Sequence, residues 1–191
     1  MRNTGHRLGA SGTNLENTIE GLKNSLENHP GRRFRYWEFD VRESSEGSLF
    51  VFHDDHIRVG GSLVETHTMN FGQIYEAGLA MGREIPLFSE VCRFLGDLDH
   101  AVMVEIKHIF SEKARSEVLD SVSGRENWKV MATPKRFEMS FPTEIRNYWA
   151  ERFDKSGVKL VRVGRHRIDL FKASKSKLKW NFARPSWLFG L

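Results

Sequence analysis

Apolar residues recur at Leu15, Ile19, Leu22 and Leu26, in steps of 4, 3 and 4, the spacing of one helix face. This predicts a helix over 14–26, closed by the turn cluster Asn28-His29-Pro30-Gly31. In Phe34-Arg35-Tyr36-Trp37-Glu38-Phe39-Asp40-Val41 aromatic and branched residues alternate with polar ones, the period of a strand. A turn at Ser44-Ser45-Glu46-Gly47 leads to a second short strand over 49–53. Residues 54–86 are polar and glycine-bearing, with one helix expected around 70–80, and a further helix is expected over 87–95. The apolar run Ala101-Val102-Met103-Val104-Glu105-Ile106 has strand length, and residues 112–122 read as a helix. Later candidates are a short segment over 129–132, a long helix over 143–156 and a strand over 159–163.

Alternating strands and helices predict an α/β protein with a largely parallel sheet. An eight-fold (β/α) barrel usually takes about 250 residues. The chain has 191 and no internal repeat, so the expected architecture is one domain over 1–191, a TIM-barrel-like fold that is trimmed or incomplete.

Composition narrows the class. An apolar fraction of 39% with 12% aromatics is too high for a disordered chain. No run approaches the roughly 20 apolar residues of a membrane helix, and Met1-Arg2-Asn3-Thr4-Gly5-His6 lacks the apolar core of a secretion signal, so the expected location is the cytoplasm. Cys92, the single cysteine, cannot form an internal disulfide or a cysteine-based zinc cluster, and reads as a packed helix residue. Net charge is +4, but residues 1–100 carry 10 basic and 15 acidic side chains (−5) and residues 101–191 carry 19 and 10 (+9).

The expected strands end in ionisable side chains. Glu38 and Asp40 are two apart, so on a strand both carboxylates lie on one face; Glu105 and Lys107 repeat that spacing. His53-Asp54 closes the 49–53 strand, and His6-Arg7 lies near the N-terminus. Singly, each of these is most simply a salt bridge, a turn or a solvated face. Together they put acids, bases and cations where parallel α/β folds place active sites, and buried carboxylates need a cation or hydrogen bonds to satisfy them.

Six motifs occur in order: Gly5-His6-Arg7, Glu16-Asn17-Thr18, Glu38-Phe39-Asp40-Val41, His53-Asp54, Ile85-Pro86-Leu87-Phe88-Ser89-Glu90-Val91 and Glu105-Ile106-Lys107. Over residues 4–110 the chain thereby resembles the glycerophosphodiester phosphodiesterases. The resemblance implies one divalent cation, Mg²⁺ or Ca²⁺, held by Glu38, Asp40 and Glu105. It implies His6 and His53 as the acid–base pair, here taken as base and acid with the roles open to exchange, and Arg7 and Lys107 as phosphate contacts. Hard oxygen ligands suit such an ion, and imidazoles titrate near neutrality. The implied reaction cleaves a glycerophosphodiester, or a related small or lipid-derived diester, to a phosphomonoester such as glycerol 3-phosphate and an alcohol. A neighbouring substrate hydroxyl is a candidate nucleophile, and a phospholipase D-like member of the same superfamily is a close variant.

Glu16-Asn17-Thr18 reads as support at a helix start rather than as catalysis. Leu8 stands where the family usually has glycine, and Leu15 where it commonly has proline. Beyond about residue 125 the motifs do not continue.

Residues 158–191 hold nine basic side chains and one acid, Asp169, and Trp180, Phe182, Trp187 and Phe189 follow the lysines of 172–179. Basic residues beside aromatics suit nucleic acid or an anionic membrane surface. The alternative function is therefore a non-catalytic, degenerate barrel that binds such partners through this third. A solvated basic face, a rim that attracts an anionic diester and a homo-oligomer contact are the other readings of the segment about 172–191.

Overall fold

The computed structural model describes residues 3–28, 31–163 and 168–170. The chain divides into two compact units, residues 1–100 and 101–191.

In the first unit the opening residues are turns, and helix α1 (Ile19–Glu27) begins later than the apolar spacing predicts. Asn17 takes a left-handed backbone, φ 61, which a helix cannot contain. Thr18 is extended, and its hydroxyl accepts the Gly21 N–H at 3.0 Å, a side-chain cap that fixes the start. Leu15 is thus left in the preceding turn, where its carbonyl accepts from Thr18.

Strand β1 (Trp37–Glu43) is buried at all seven positions and pairs antiparallel with β2 (Leu49–Val51), Val41 opposite Val51. Its alternation therefore separates two covered faces, not core from solvent, and the polar face carries Glu38, Asp40 and Arg42 into the interior. A hairpin of β3 (His56–Val59) and β4 (Ser62–Glu65) follows, turning on Gly60 and Gly61, both at positive φ, as a type I′ hairpin turn requires. The sequence hides it because Ile57 is the one residue of these two strands that is buried. Helix α2 (Phe71–Ala80) is capped reciprocally by Asn70 and Gln73, and α3 (Phe88–Gly96) buries Phe88, Val91, Cys92 and Leu95. Phe50, Phe52, Ile57, Met69, Ile74, Ala77 and Ile85 form one core cluster here.

The second unit contains parallel pairs. β5 (Val102–His108) runs parallel to β6 (Trp128–Ala132), and β6 parallel to β7 (Leu160–Val163), whereas β8 (Ile168–Leu170) returns antiparallel. The α/β fold with a parallel sheet is as the sequence predicts, β5, β6 and β7 pairing parallel, while β2 on β1 and β8 on β7 are antiparallel. Helix α4 (Glu112–Val122) crosses between β5 and β6, and α5 (Pro134–Ser140) and α6 (Thr143–Lys155) between β6 and β7. Pro134 opens α5, where its missing N–H has no partner to lose. Phe137, Phe141, Trp149 and Phe153 are buried, with Phe141 and Phe153 edge to face.

No helix among the described residues is long and apolar enough to cross a membrane. The basic residues Arg165 and Arg167 and the segment about 172–191, on which the nucleic-acid, membrane and self-association readings rest, lie outside the described residues.

Lys129 on β6 is 7% exposed. Burial, and then the charge of Lys159, bring its pKa from 10.5 down to about 8. Between those values the unfolded chain binds more protons than the folded one, so this lysine makes stability rise with pH from about 8 to 10.5. The stability gained by Lys129→Met over wild type is expected to be largest near pH 7 and to shrink towards pH 10, read from urea unfolding across that range.

Candidate active site

Gly5, His6, Arg7 and Leu8 lie along β1 at Glu38. The Glu38 N–H donates to the Gly5 carbonyl at 2.9 Å, and the Leu8 N–H to the Glu38 carbonyl at 2.8 Å. Between these bonds the chain turns through left-handed backbone at Arg7 (φ 51) and Leu8 (φ 58), costing about 1–2 kcal/mol per non-glycine residue. Leu8 is fully buried, which offsets the cost at the position where glycine is usual. Gly9 (φ 80) has no such latitude, because a Cβ there would meet the Ser25 hydroxyl at 2.2 Å.

This turn aims the Arg7 N–H at the Glu38 carboxylate, Oε2, at 2.9 Å. The Arg7 side chain donates from Nη1 to Glu16 Oε2 at 2.8 Å and lies 3.8 Å, from Nε, from Asp40 Oδ2. Glu16 also accepts the Gly12 N–H at 3.0 Å and faces Arg83 at 3.8 Å. Asn17 donates from Nδ2 to Asp40 Oδ2 at 2.7 Å. Glu16, Asn17 and Thr18 thus have separate tasks: holding Arg7, holding Asp40 and capping α1. Burial opposes the Arg7 charge, but the hydrogen bond and charge of Glu16, then the charges of Asp40 and Glu38, push its pKa above the usual arginine value.

The His6 ring completes the group. Its Nδ1 is 2.9 Å from the Ser11 hydroxyl, and its Nε2 is 3.6 Å from Glu38 Oε2. His53 joins β1 through its backbone: the Phe52 N–H donates to the Asp40 carbonyl at 2.9 Å, and Arg42 holds the His53 carbonyl at 2.8 Å. Its ring Nδ1 lies 2.7 Å from Asp54 Oδ1.

The first unit therefore gathers His6, Arg7, Glu38 and Asp40, and fixes the loop of His53 to the same strand. In the second unit Glu105 and Lys107 pair with each other on β5 at 2.5 Å. Glu38, Asp40 and Glu105 are 3%, 1% and 7% exposed. Carboxylates so deeply buried are hard-oxygen donors in surroundings that penalise an uncompensated negative charge, the donor chemistry that suits a hard divalent cation.

Sequence reasoning missed Ser11, Arg42 and Arg83. Ser11 and Arg83 carry no periodic signal, but Arg42 continues the alternation of Glu38 and Asp40 and was open to detection on that ground. Of the other histidines, His100 accepts from the Trp37 indole at 3.3 Å, and His56 and His67 flank Glu65 on the exposed hairpin side.

A model of the glycerophosphoryl diester phosphodiesterase family matches residues 6–147. The chain is 26% identical over 162 residues to lysophospholipase D GDPD3 of Mus musculus, covering 80% of this chain and 43% of that protein; it thus spans less than half the length of this curated relative. Among solved structures it resembles glycerophosphodiester phosphodiesterase of Thermotoga maritima, with TM-score 0.52 at 23% identity over 81% of this chain and 70% of that one. It also resembles an Oleispira antarctica phosphodiesterase in complex with the product sn-glycerol-3-phosphate, with TM-score 0.50 at 18% identity over 81% and 72%. At these identities the likeness speaks to fold, and it gives the chain a trimmed, TIM-barrel-like α/β fold.

Asn17 gives a test of the wiring around Asp40. Asn17→Gly removes the 2.7 Å bond to Asp40 but suits the left-handed backbone, and is expected to cost about 1–3 kcal/mol for hydrogen bonding to a charged group. Asn17→Ala adds backbone strain of about 1–2 kcal/mol, so urea unfolding should place alanine below glycine, the reverse of their usual helix order.

Proposed function

Since the chain belongs to the glycerophosphoryl diester phosphodiesterase family, we propose that it hydrolyses a glycerophosphodiester, or a related lipid-derived diester, to a phosphomonoester such as glycerol 3-phosphate and an alcohol. The observation that carries this reading is the Arg7 turn, which joins a histidine and an arginine to two buried carboxylates of one strand. The product bound to the Oleispira relative, sn-glycerol-3-phosphate, and the lysophospholipase D activity in the name of the mouse relative both lie within this diester chemistry.

Glu38, Asp40 and Glu105 would hold one divalent cation, Mg²⁺ or Ca²⁺. Such an ion, when bound, polarises the phosphoryl oxygens and offsets charge in the transition state. His6 takes the proton of the attacking hydroxyl, either of water or of a neighbouring substrate group, at Nε2. Its Nδ1 is engaged by Ser11, which orients the ring. His53 gives a proton to the departing alkoxide, also from Nε2, because Asp54 occupies its Nδ1. Arg7 and Lys107 complement the diester anion. Both are held by carboxylates, Glu16 and Glu105, so their charges are in place before substrate arrives.

Phosphomonoester release from a panel of glycerophosphodiesters tests this. Turnover is expected with Mg²⁺ or Ca²⁺, with loss on chelation and a fall of about 10²–10⁴-fold in His6→Ala, the range for a general base. Absence of turnover on every diester, with folded protein and metal present, would overturn the reading.

A further inference from the structure

We propose that Arg42 is a positioning residue for His53, an inference that rests on the acid–base role given above to that histidine. Arg42 follows Glu38 and Asp40 in the alternation of β1 and is 1% exposed. Its Nε donates to the Phe52 carbonyl at 3.1 Å, and its Nη2 to the His53 carbonyl at 2.8 Å and to Asp55 Oδ1 at 2.7 Å. One guanidinium thereby takes acceptors from residues 52, 53 and 55 of the loop that carries the histidine.

A planar fork of fixed donors sets the relative placement of its acceptors, which a lysine ammonium does not. The Phe52 N–H bonds the Asp40 carbonyl at 2.9 Å. Loop and strand are therefore tied both at Asp40 and at Arg42, and the His53 backbone is held in register with the strand that supplies two of the carboxylates. The pair His53–Asp54 fixes only the ring, and with Asp54 60% exposed it is too weakly coupled to fix the loop.

Stability is a poor reason for this arginine. Burying a guanidinium costs desolvation, and an ion pair with the half-exposed Asp55 is weak evidence of a net gain in stability. What the arrangement delivers is the placement of three loop acceptors, on residues 52, 53 and 55, and a misplacement of about 1 Å at a catalytic group can cost about 10²-fold in rate.

The test uses the 191-residue chain as wild type, Arg42→Lys, Arg42→Met and Asp55→Asn, each checked for folding by thermal unfolding. The probe substrate is glycerophosphocholine. Two readouts are taken: kcat and KM for phosphomonoester release, and the ¹⁵N resonances of the His53 ring, which report its tautomer without requiring turnover. The expected result is a kcat lowered about 10–100-fold in Arg42→Lys with KM unchanged, a smaller loss in Asp55→Asn, and His53 ring resonances shifted from wild type in both. Should the Arg42 variants not fold, Asp55→Asn, altered at an exposed carboxylate, decides alone. Folded variants that keep the wild-type kcat and ring resonances would overturn the positioning role and leave the phosphodiesterase reading standing. A wild type without turnover would remove the phosphodiesterase reading, and the ring resonances would still decide whether Arg42 positions His53.

Discussion

The structure turns on the charge buried in β1. Glu38, Asp40 and Arg42 lie on one face of a strand that is covered on both sides, and an ionised group in such surroundings is tolerable only with partners. Much of the first unit is organised to provide them. The turn at Arg7 and Leu8 adopts backbone that costs energy in order to present an N–H and a guanidinium to Glu38 and Asp40. The left-handed Asn17 delays α1 and points an amide at Asp40, and the 52–55 loop closes over Arg42. Strained residues persist where surrounding structure over-determines them, and here the strain and the buried charge occur together.

This organisation ties the proposed catalysis to stability in the first unit. Arg7 offsets the carboxylates that burial would otherwise penalise, and it is also the proposed phosphate contact. Glu16 holds that arginine from one side while Asp40 faces it from the other. Removing any one member leaves another charge with less compensation, so effects on folding and on turnover are coupled through the same few hydrogen bonds.

Much of the candidate site was legible in the sequence because chemistry-bearing residues recur at fixed short spacings. Glu38-x-Asp40 and Glu105-x-Lys107 announce themselves on strands through the two-residue period, and His53-Asp54 lies directly after an apolar run. The helices over 70–80, 87–95, 112–122 and 143–156 were readable within a residue or so, since each has a cap or an apolar stripe. What escaped was what periodicity does not encode. The β3–β4 hairpin buries only Ile57 and so leaves no alternation. Helix α5 is only seven residues long and opens on a proline. The late start of α1 depends on the φ of one asparagine, and the partners Ser11 and Arg83 reach the site through tertiary contacts alone.

The central claim is the proposal that Glu38, Asp40 and Glu105 hold one divalent cation. Calorimetric titration of the 191-residue chain with Mg²⁺ and Ca²⁺ tests it most directly, comparing wild type with Glu38→Gln and Glu105→Gln. The account predicts one divalent site in the wild type, lost or strongly weakened in both variants. Wild-type affinity retained by folded Glu105→Gln, or no divalent binding to the wild type, would contradict it.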